Sequence, residues 1–308
     1  MRRVGLGVFL VLLAALALPP LWFRLFRDPP PELPAPGQRV VFASGIGVNV
    51  VEEGAGPAVV LVHGLPGSAY DWRPTSAALA ARGRRAIAYD RVGYGWSDAR
   101  PDGAFSVASN AGELLALLEA LGLEGVTLVG WSYGGSTAIA AAERDASRIA
   151  RLVLVGSAGP GFERNQPPRA VARVLFSAPV LGWLHAVPPL ARSVQAQVSR
   201  QAFSDGPEPD WWRPTLAANF GRPYTPTSWR SEGAALMDAP LPEPSRLAMP
   251  ILVLHGDDDR LVPVEVAHEL VRRAPGARLV IVPGGSHMLP ITHPDLVADE
   301  IANAEGAR

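Results

Sequence analysis

Between the apolar run VTLVG at 126–130 and an Ala-rich stretch lies Gly130-Trp131-Ser132-Tyr133-Gly134-Gly135. Small residues two before and two after a serine let a strand turn directly into a helix, leaving the hydroxyl exposed on a strained corner at the helix N-terminus. A serine hydroxyl is a poor nucleophile at neutral pH. It needs a general base, and the base needs a group that fixes its tautomer. Two later loops supply such groups. The run ILVLH at 251–255 leads into Gly256-Asp257-Asp258-Asp259, a cluster of carboxylates. The run LVIV at 279–282 leads into Pro283-Gly284-Gly285-Ser286-His287, an imidazole in a glycine-rich loop. The order nucleophile, acid, base is that of a triad built on the ends of parallel strands.

Attack on a carbonyl also requires donors for the developing oxyanion. One is the backbone N–H of Tyr133, immediately after the serine. A second is that of Leu65, in His63-Gly64-Leu65-Pro66-Gly67-Ser68 after the run AVVLV at 58–62. Gly64 and Gly67 allow close backbone approach there, and Pro66 stiffens the loop without removing the donor at 65. Of the six histidines, His63 at a strand end reads as a structural hydrogen-bonding group. His268 and His293 fall in or at helical patterns and read as surface or capping residues. Tyr70 and Trp131, near the presumed chemistry, are candidate substrate-contacting side chains.

Eight short apolar runs position these loops: VVF at 40–42, VNVVE at 48–52, AVVLV at 58–62, AIAY at 86–89, VTLVG at 126–130, LVLVG at 152–156, ILVLH at 251–255 and LVIV at 279–282. Continuous runs of this kind suit strands buried on both faces. Helical patterns alternate with several of them. The clearest starts near Ser106, carries Leu114, Leu117, Leu118 and Leu121, and stops at Gly122. The alternation predicts an α/β fold with a mostly parallel eight-stranded sheet and helices on both faces. The pattern fails over 161–245, which reads as a cap inserted between core segments 38–160 and 246–308. Its four tryptophans, Trp183, Trp211, Trp212 and Trp229, read as packing residues first and as pocket lining second.

These motifs resemble the α/β-hydrolase superfamily, over nearly all of residues 38–305. HGLPGS at 63–68 is similar to its oxyanion loop, DRVGYGWSD at 90–98 to its D-x-x-G-x-G-x-S loop, and GWSYGG at 130–135 to its nucleophile elbow. HGDDDRLVP and GGSHMLPITHP are similar to its acid and histidine loops. The resemblance implies a capped, serine-nucleophile member in which Asp259, just before x-x-V-P, is the triad acid, with Asp257 and Asp258 as alternatives. Thr292 stands where the family frequently has Glu. Ser132 argues against dehalogenase and epoxide hydrolase chemistry, which the family runs with Asp at the elbow.

The implied activity is hydrolysis of a small or apolar carboxylic ester through an acyl-enzyme, with no metal or organic cofactor. Amide, peptide, C–C bond and haloperoxidase-type chemistry share the constellation, and a non-catalytic ligand sensor is a further alternative. A net charge of −1 gives no basic field for nucleic acid. The absence of cysteine excludes thiolate catalysis and disulfides. Residues 4–23 are free of charge and of bilayer-spanning length. Segment 1–27 is therefore expected to be an N-terminal membrane anchor holding the catalytic domain outside the cytoplasm, or else a cleaved secretion signal. Residues 28–37 read as a Pro-rich linker.

Overall fold

The computed structural model describes residues 35–165, 188–222, 224–238, 240–274 and 276–304. Each of the eight apolar runs forms a strand: β1 Gln38–Val41, β2 Gly47–Glu53, β3 Ala58–Val62, β4 Arg85–Tyr89, β5 Val126–Trp131, β6 Ile149–Val155, β7 Ile251–Gly256 and β8 Arg278–Val282. They make one sheet in the order β1-β2-β4-β3-β5-β6-β7-β8. Only the β1–β2 and β2–β4 pairings are antiparallel. From β4 to β8 every pairing is parallel.

Strand side chains divide between the two faces with period two. Val60, Val62, Leu128, Leu152, Leu154 and Val253 join one core cluster. Their neighbours Val59, Leu61, Val129, Val153, Val155 and Leu254 join another. Helices α1 Arg73–Ala81, α2 Val107–Ala120 and α3 Tyr133–Arg144 connect the central strands, and α4 Pro188–Ala202, α5 Trp212–Phe220 and α6 Thr225–Asp238 lie in the chain between β6 and β7. Helices α7 Val264–Arg273, α8 Leu289–Thr292 and α9 Pro294–Ala304 complete the order. Side chains of α2, α3 and α7 pack into the first cluster, and those of α1 and α9 into the second. Both faces are therefore covered, as continuous apolar strands require.

Helix α2 has the ends expected of it. Ser106 caps its N-terminus, its side chain accepting the Ser109 N–H at 3.2 Å, and Gly122 follows the last turn at φ 58°. The inserted segment contains no strand among the described residues. In it Trp212 packs edge-on to Phe203, with ring centroids 5.5 Å apart, and both are buried in the second cluster. Trp183 lies outside the described residues.

The membrane assignment is corrected. Among the described residues no helix is long and apolar enough to cross a membrane. Residues 1–27, on which the expectation rested, lie outside the described residues. An anchored location is therefore withdrawn.

Candidate active site

Because β3, β5, β6, β7 and β8 run parallel, the loops leaving their C-terminal ends collect at one edge of the sheet, where open α/β sheets bind ligands. Ser132 follows β5 there. Among the described residues it is the non-glycine residue with positive φ, at φ 56° and ψ −122°. Its surroundings hold it so. Its N–H donates to Val155 O at 3.0 Å, and its carbonyl accepts from Gly135 N at 3.0 Å and Ala158 N at 3.1 Å. The flanking glycines are dictated by packing. A Cβ on Gly130 would sit 2.5 Å from Gly134 O, and one on Gly134 only 2.3 Å from Val62 O. A half-buried hydroxyl on a strained strand-to-helix corner results.

Of the three adjacent aspartates, the fold brings Asp259 to His287. Its Oδ2 lies 2.7 Å from Nδ1 of the imidazole, and its Oδ1 accepts the N–H groups of Leu261 at 2.9 Å and Val262 at 2.8 Å. Asp258 instead pairs with Arg260, and Asp257 accepts the Gly284 N–H. Burial pushes the Asp259 carboxyl up, but the attraction and hydrogen bond of His287, with His255 and the Val262 N–H, outweigh it and hold the pKa below the ordinary value. An ionised Asp259 keeps the imidazole proton on Nδ1 and leaves Nε2 with its lone pair.

Trp131 anchors this pair. Its indole N–H donates to the carbonyl of His287 at 2.9 Å, the two rings lie 5.8 Å apart, and the residue is buried against Trp72. Trp131 thus supports the histidine loop from below. Gly156, at the end of β6, closes the connection. A Cβ there would lie 3.3 Å from Asp259 Oδ2 and 3.5 Å from His287 Nδ1, while the preceding Val155 bonds Ser132. Tyr70 is half-buried on the other side of the loop after β3, its ring 5.4 Å from Trp96 and under the guanidinium of Arg73.

The loop after β3 runs against the serine. A Cβ on Gly64 would stand 3.1 Å from Ser132 Cβ and 3.6 Å from Oγ, so Leu65 follows at the point of closest approach. Tyr133 opens α3, where no preceding turn can accept its N–H. His63 is buried; its Nε2 accepts the Arg91 N–H at 3.0 Å, so Nδ1 carries the proton and donates to Gly64 O at 2.9 Å. Burial, then the nearby Arg91, depress its pKa well below the usual imidazole value. It is a neutral structural group, as its position at a strand end suggested.

Several residues of this neighbourhood carry no sequence signal. His255, buried beneath Asp259, lies 3.5 Å from Oδ2 and donates from Nε2 to Val262 O at 2.8 Å. From the inserted segment, Ser204 Oγ donates to Asp258 O at 2.7 Å. Asp205 Oδ2 accepts from Ser286 N at 3.1 Å and Thr292 Oγ1 at 2.9 Å, with His293 Nδ1 3.3 Å away. Glu232 and Asn219 reach the other loops. Their apparent neutrality in the sequence follows from partners lying far away along the chain.

Asp71, in the 3-10 turn Ala69–Trp72 beside the serine-facing loop, accepts the Ser68 N–H at 2.9 Å. Burial pushes its pKa up to about 8, the hydrogen bond opposing and Asp90 adding. A carboxyl with a native pKa above its unfolded value, about 4, binds more protons folded than unfolded. Its contribution to stability is therefore best below about pH 4, falls as pH rises, and levels off above about pH 8. Asp71→Asn is expected to flatten this decline. Urea unfolding at pH 5, 7 and 9 should show the variant gaining on the parent as pH rises; parallel slopes would mean that Asp71 is ionised in the native protein.

The family profile described as alpha/beta hydrolase fold matches residues 57–294. The chain belongs to the α/β-hydrolase fold family. It is 35% identical over 237 residues to the 2-hydroxy-6-oxo-2,4-heptadienoate hydrolase of Pseudomonas putida, covering 75% of this chain and 83% of that one. A 2-hydroxymuconate semialdehyde hydrolase of Pseudomonas putida is 29% identical, over 86% of this α/β-hydrolase and 92% of its relative. Among solved structures, an esterase from Exiguobacterium antarcticum superposes with a TM-score of 0.74 at 22% identity, covering 87% of this chain and 99% of that one. That likeness is one of fold. The family and its relatives make this α/β-hydrolase a hydrolytic enzyme.

Proposed function

We propose that this α/β-hydrolase is a serine hydrolase that cleaves carboxylic esters through an acyl-enzyme. The observation that supports it best is a strained, half-buried Ser132 at the same sheet edge as an imidazole held at 2.7 Å by a buried carboxylate. In this reading His287 Nε2 takes the proton as Ser132 Oγ attacks the ester carbonyl. The N–H groups of Leu65 and Tyr133 receive the oxyanion. The imidazolium, stabilised by Asp259, then protonates the departing alkoxide, and the alcohol leaves. Water repeats the sequence on the acyl-enzyme, releasing the acid and restoring Ser132.

The second reading is C–C bond hydrolysis of an oxo-dienoate on the same residues, favoured by the 35% identity to the Pseudomonas putida enzyme. The two readings separate in one experiment. The protein is treated with a fluorophosphonate, its labelled residue is located by mass spectrometry, and turnover is compared on p-nitrophenyl esters of rising acyl length and on 2-hydroxy-6-oxo-2,4-heptadienoate. Label on Ser132 with ester turnover supports the first reading. Label on Ser132 with turnover of the dienoate alone supports the second. Absence of label and of turnover on both overturns the serine mechanism.

A further inference from the structure

The Gly64–Leu65 peptide is trans, so its C=O and N–H point in opposite directions in one plane. Whatever fixes the carbonyl of Gly64 therefore aims the N–H of Leu65. Two donors fix it: Nδ1 of His63 at 2.9 Å and Nη2 of Arg91, also at 2.9 Å. Arg91 is itself immobilised. Its guanidinium is sandwiched between the rings of Tyr94 and Tyr133, each 4.7 Å from Cζ, and its Nη1 bonds Oε1 of Glu232 at 2.5 Å. Both charged side chains are buried, at 1% and 0% exposure. Glu232 lies on α6, in the segment inserted between β6 and β7, and also accepts from Tyr94 Oη at 2.7 Å and from Asn110 Nδ2. The far end of the same loop is held from α5, where Asn219 donates to Gly67 O at 2.7 Å and accepts from Gly95 N at 2.8 Å.

We propose that Glu232 is a positioning residue for the oxyanion hole: through Arg91 it orients the Gly64–Leu65 peptide, so that docking of the inserted helices aims the Leu65 N–H at the reacting carbonyl. Two donors on the Gly64 oxygen also polarise the peptide and strengthen its N–H as a donor, because hydrogen bonds in a chain reinforce one another. The inference rests on the serine reading above. Replacing a buried ion pair by uncharged groups is often tolerated, whereas removing one partner strands the other charge. That difference separates positioning from mere stability.

The experiment compares the parent, Glu232→Gln and the double variant Glu232→Gln/Arg91→Met on a p-nitrophenyl ester. It measures kcat, KM, thermal midpoint and the inhibition constant of an alkyl boronic acid, whose tetrahedral serine adduct places an oxygen in the oxyanion hole. Loss of one such donor costs ~10²–10³ in kcat. The expected result is that the double variant recovers thermal stability lost by Glu232→Gln while kcat stays ~10²-fold low, KM changes little and boronate affinity falls in step with kcat. If the recovered fold brings kcat and boronate affinity back with it, the pair is structural and the proposal falls. If boronate binding is intact while kcat alone drops, it falls as well. Ser132→Ala runs alongside: activity surviving in that protein overturns the serine reading itself, a failure distinct from Ser132-dependent activity that ignores Glu232. Should neither variant fold, Arg91→Lys, which keeps a cation beside Glu232 but lacks the second guanidinium nitrogen on Gly64 O, carries the same comparison.

Discussion

Ester turnover by the Ser132→Ala protein is expected to fall by ~10⁴–10⁶ in kcat, and His287→Ala to fall as far. The two residues act as one unit, since a base without a nucleophile and a hydroxyl without a base are equally inert. The double variant should therefore be no worse than either single one. Asp259→Asn tests the third member. Its Oδ2 lies 2.7 Å from Nδ1 and its Oδ1 takes two backbone N–H groups, so an amide in its place can present an N–H to the imidazole and turn the ring to the wrong tautomer. A loss of ~10⁴ in kcat is expected. Asp258→Asn, whose carboxylate faces Arg260, should leave kcat within a few-fold of the parent. Steady-state kinetics on a p-nitrophenyl ester check all five. Equal losses at 258 and 259 would dissolve the assignment of the acid.

The second large effect is on stability. Gly134→Ala places a Cβ 2.3 Å from Val62 O and 2.7 Å from His63 O, and both obstacles are backbone at the end of a central strand. A side chain could swing aside, but β3 is paired on both edges, to β4 and to β5. Forced overpacking costs ~1–3 kcal/mol and occasionally more. At ~2–4 °C per kcal/mol for a domain of this size, the midpoint should drop by roughly 2–12 °C. Gly206→Ala is the comparison for space alone, because nothing lies within 4 Å of its Cβ position and its φ is outside the left-handed region. Differential scanning calorimetry decides. An unchanged midpoint for Gly134→Ala would mean that the elbow shifts freely and that the strain at Ser132 is not held by its packing.

The strands were readable in the sequence because burial on both faces leaves no polar alternation to confuse them; Val59 to Val62 are apolar throughout for that reason. The corner that carries Ser132 and Tyr133 and the loop that carries Leu65 were readable because turn geometry is local, written in the glycines within two residues of each. His287 was readable from its loop, but the choice among Asp257, Asp258 and Asp259 depended on family likeness until the fold turned one of them inward. Glu232, Asn219, Asp205 and His255 were invisible. Arg91 and Glu232 are 141 positions apart, and nothing in either neighbourhood marks them as partners before the inserted helices are docked. The apolar residues 4–23 invited a membrane reading on length and composition alone, a reading the helices of the described residues do not support.

The inserted segment holds the site from several sides, with Asp205 on the histidine loop, Ser204 on the acid loop, Asn219 on the loop facing the serine and Glu232 on Arg91, which bonds that loop in turn. In terms of building new enzymes from this scaffold, substrate preference and chemical competence are therefore not separate parts. A segment grafted between β6 and β7 from a relative would change which molecules fit, but unless it also carried an equivalent of each tether it would leave Arg91 stranded and two loops unmoored. Recombination along this chain, natural or engineered, is expected to keep all four tethers, either by moving the insertion together with the residues it holds or by importing an equivalent of each.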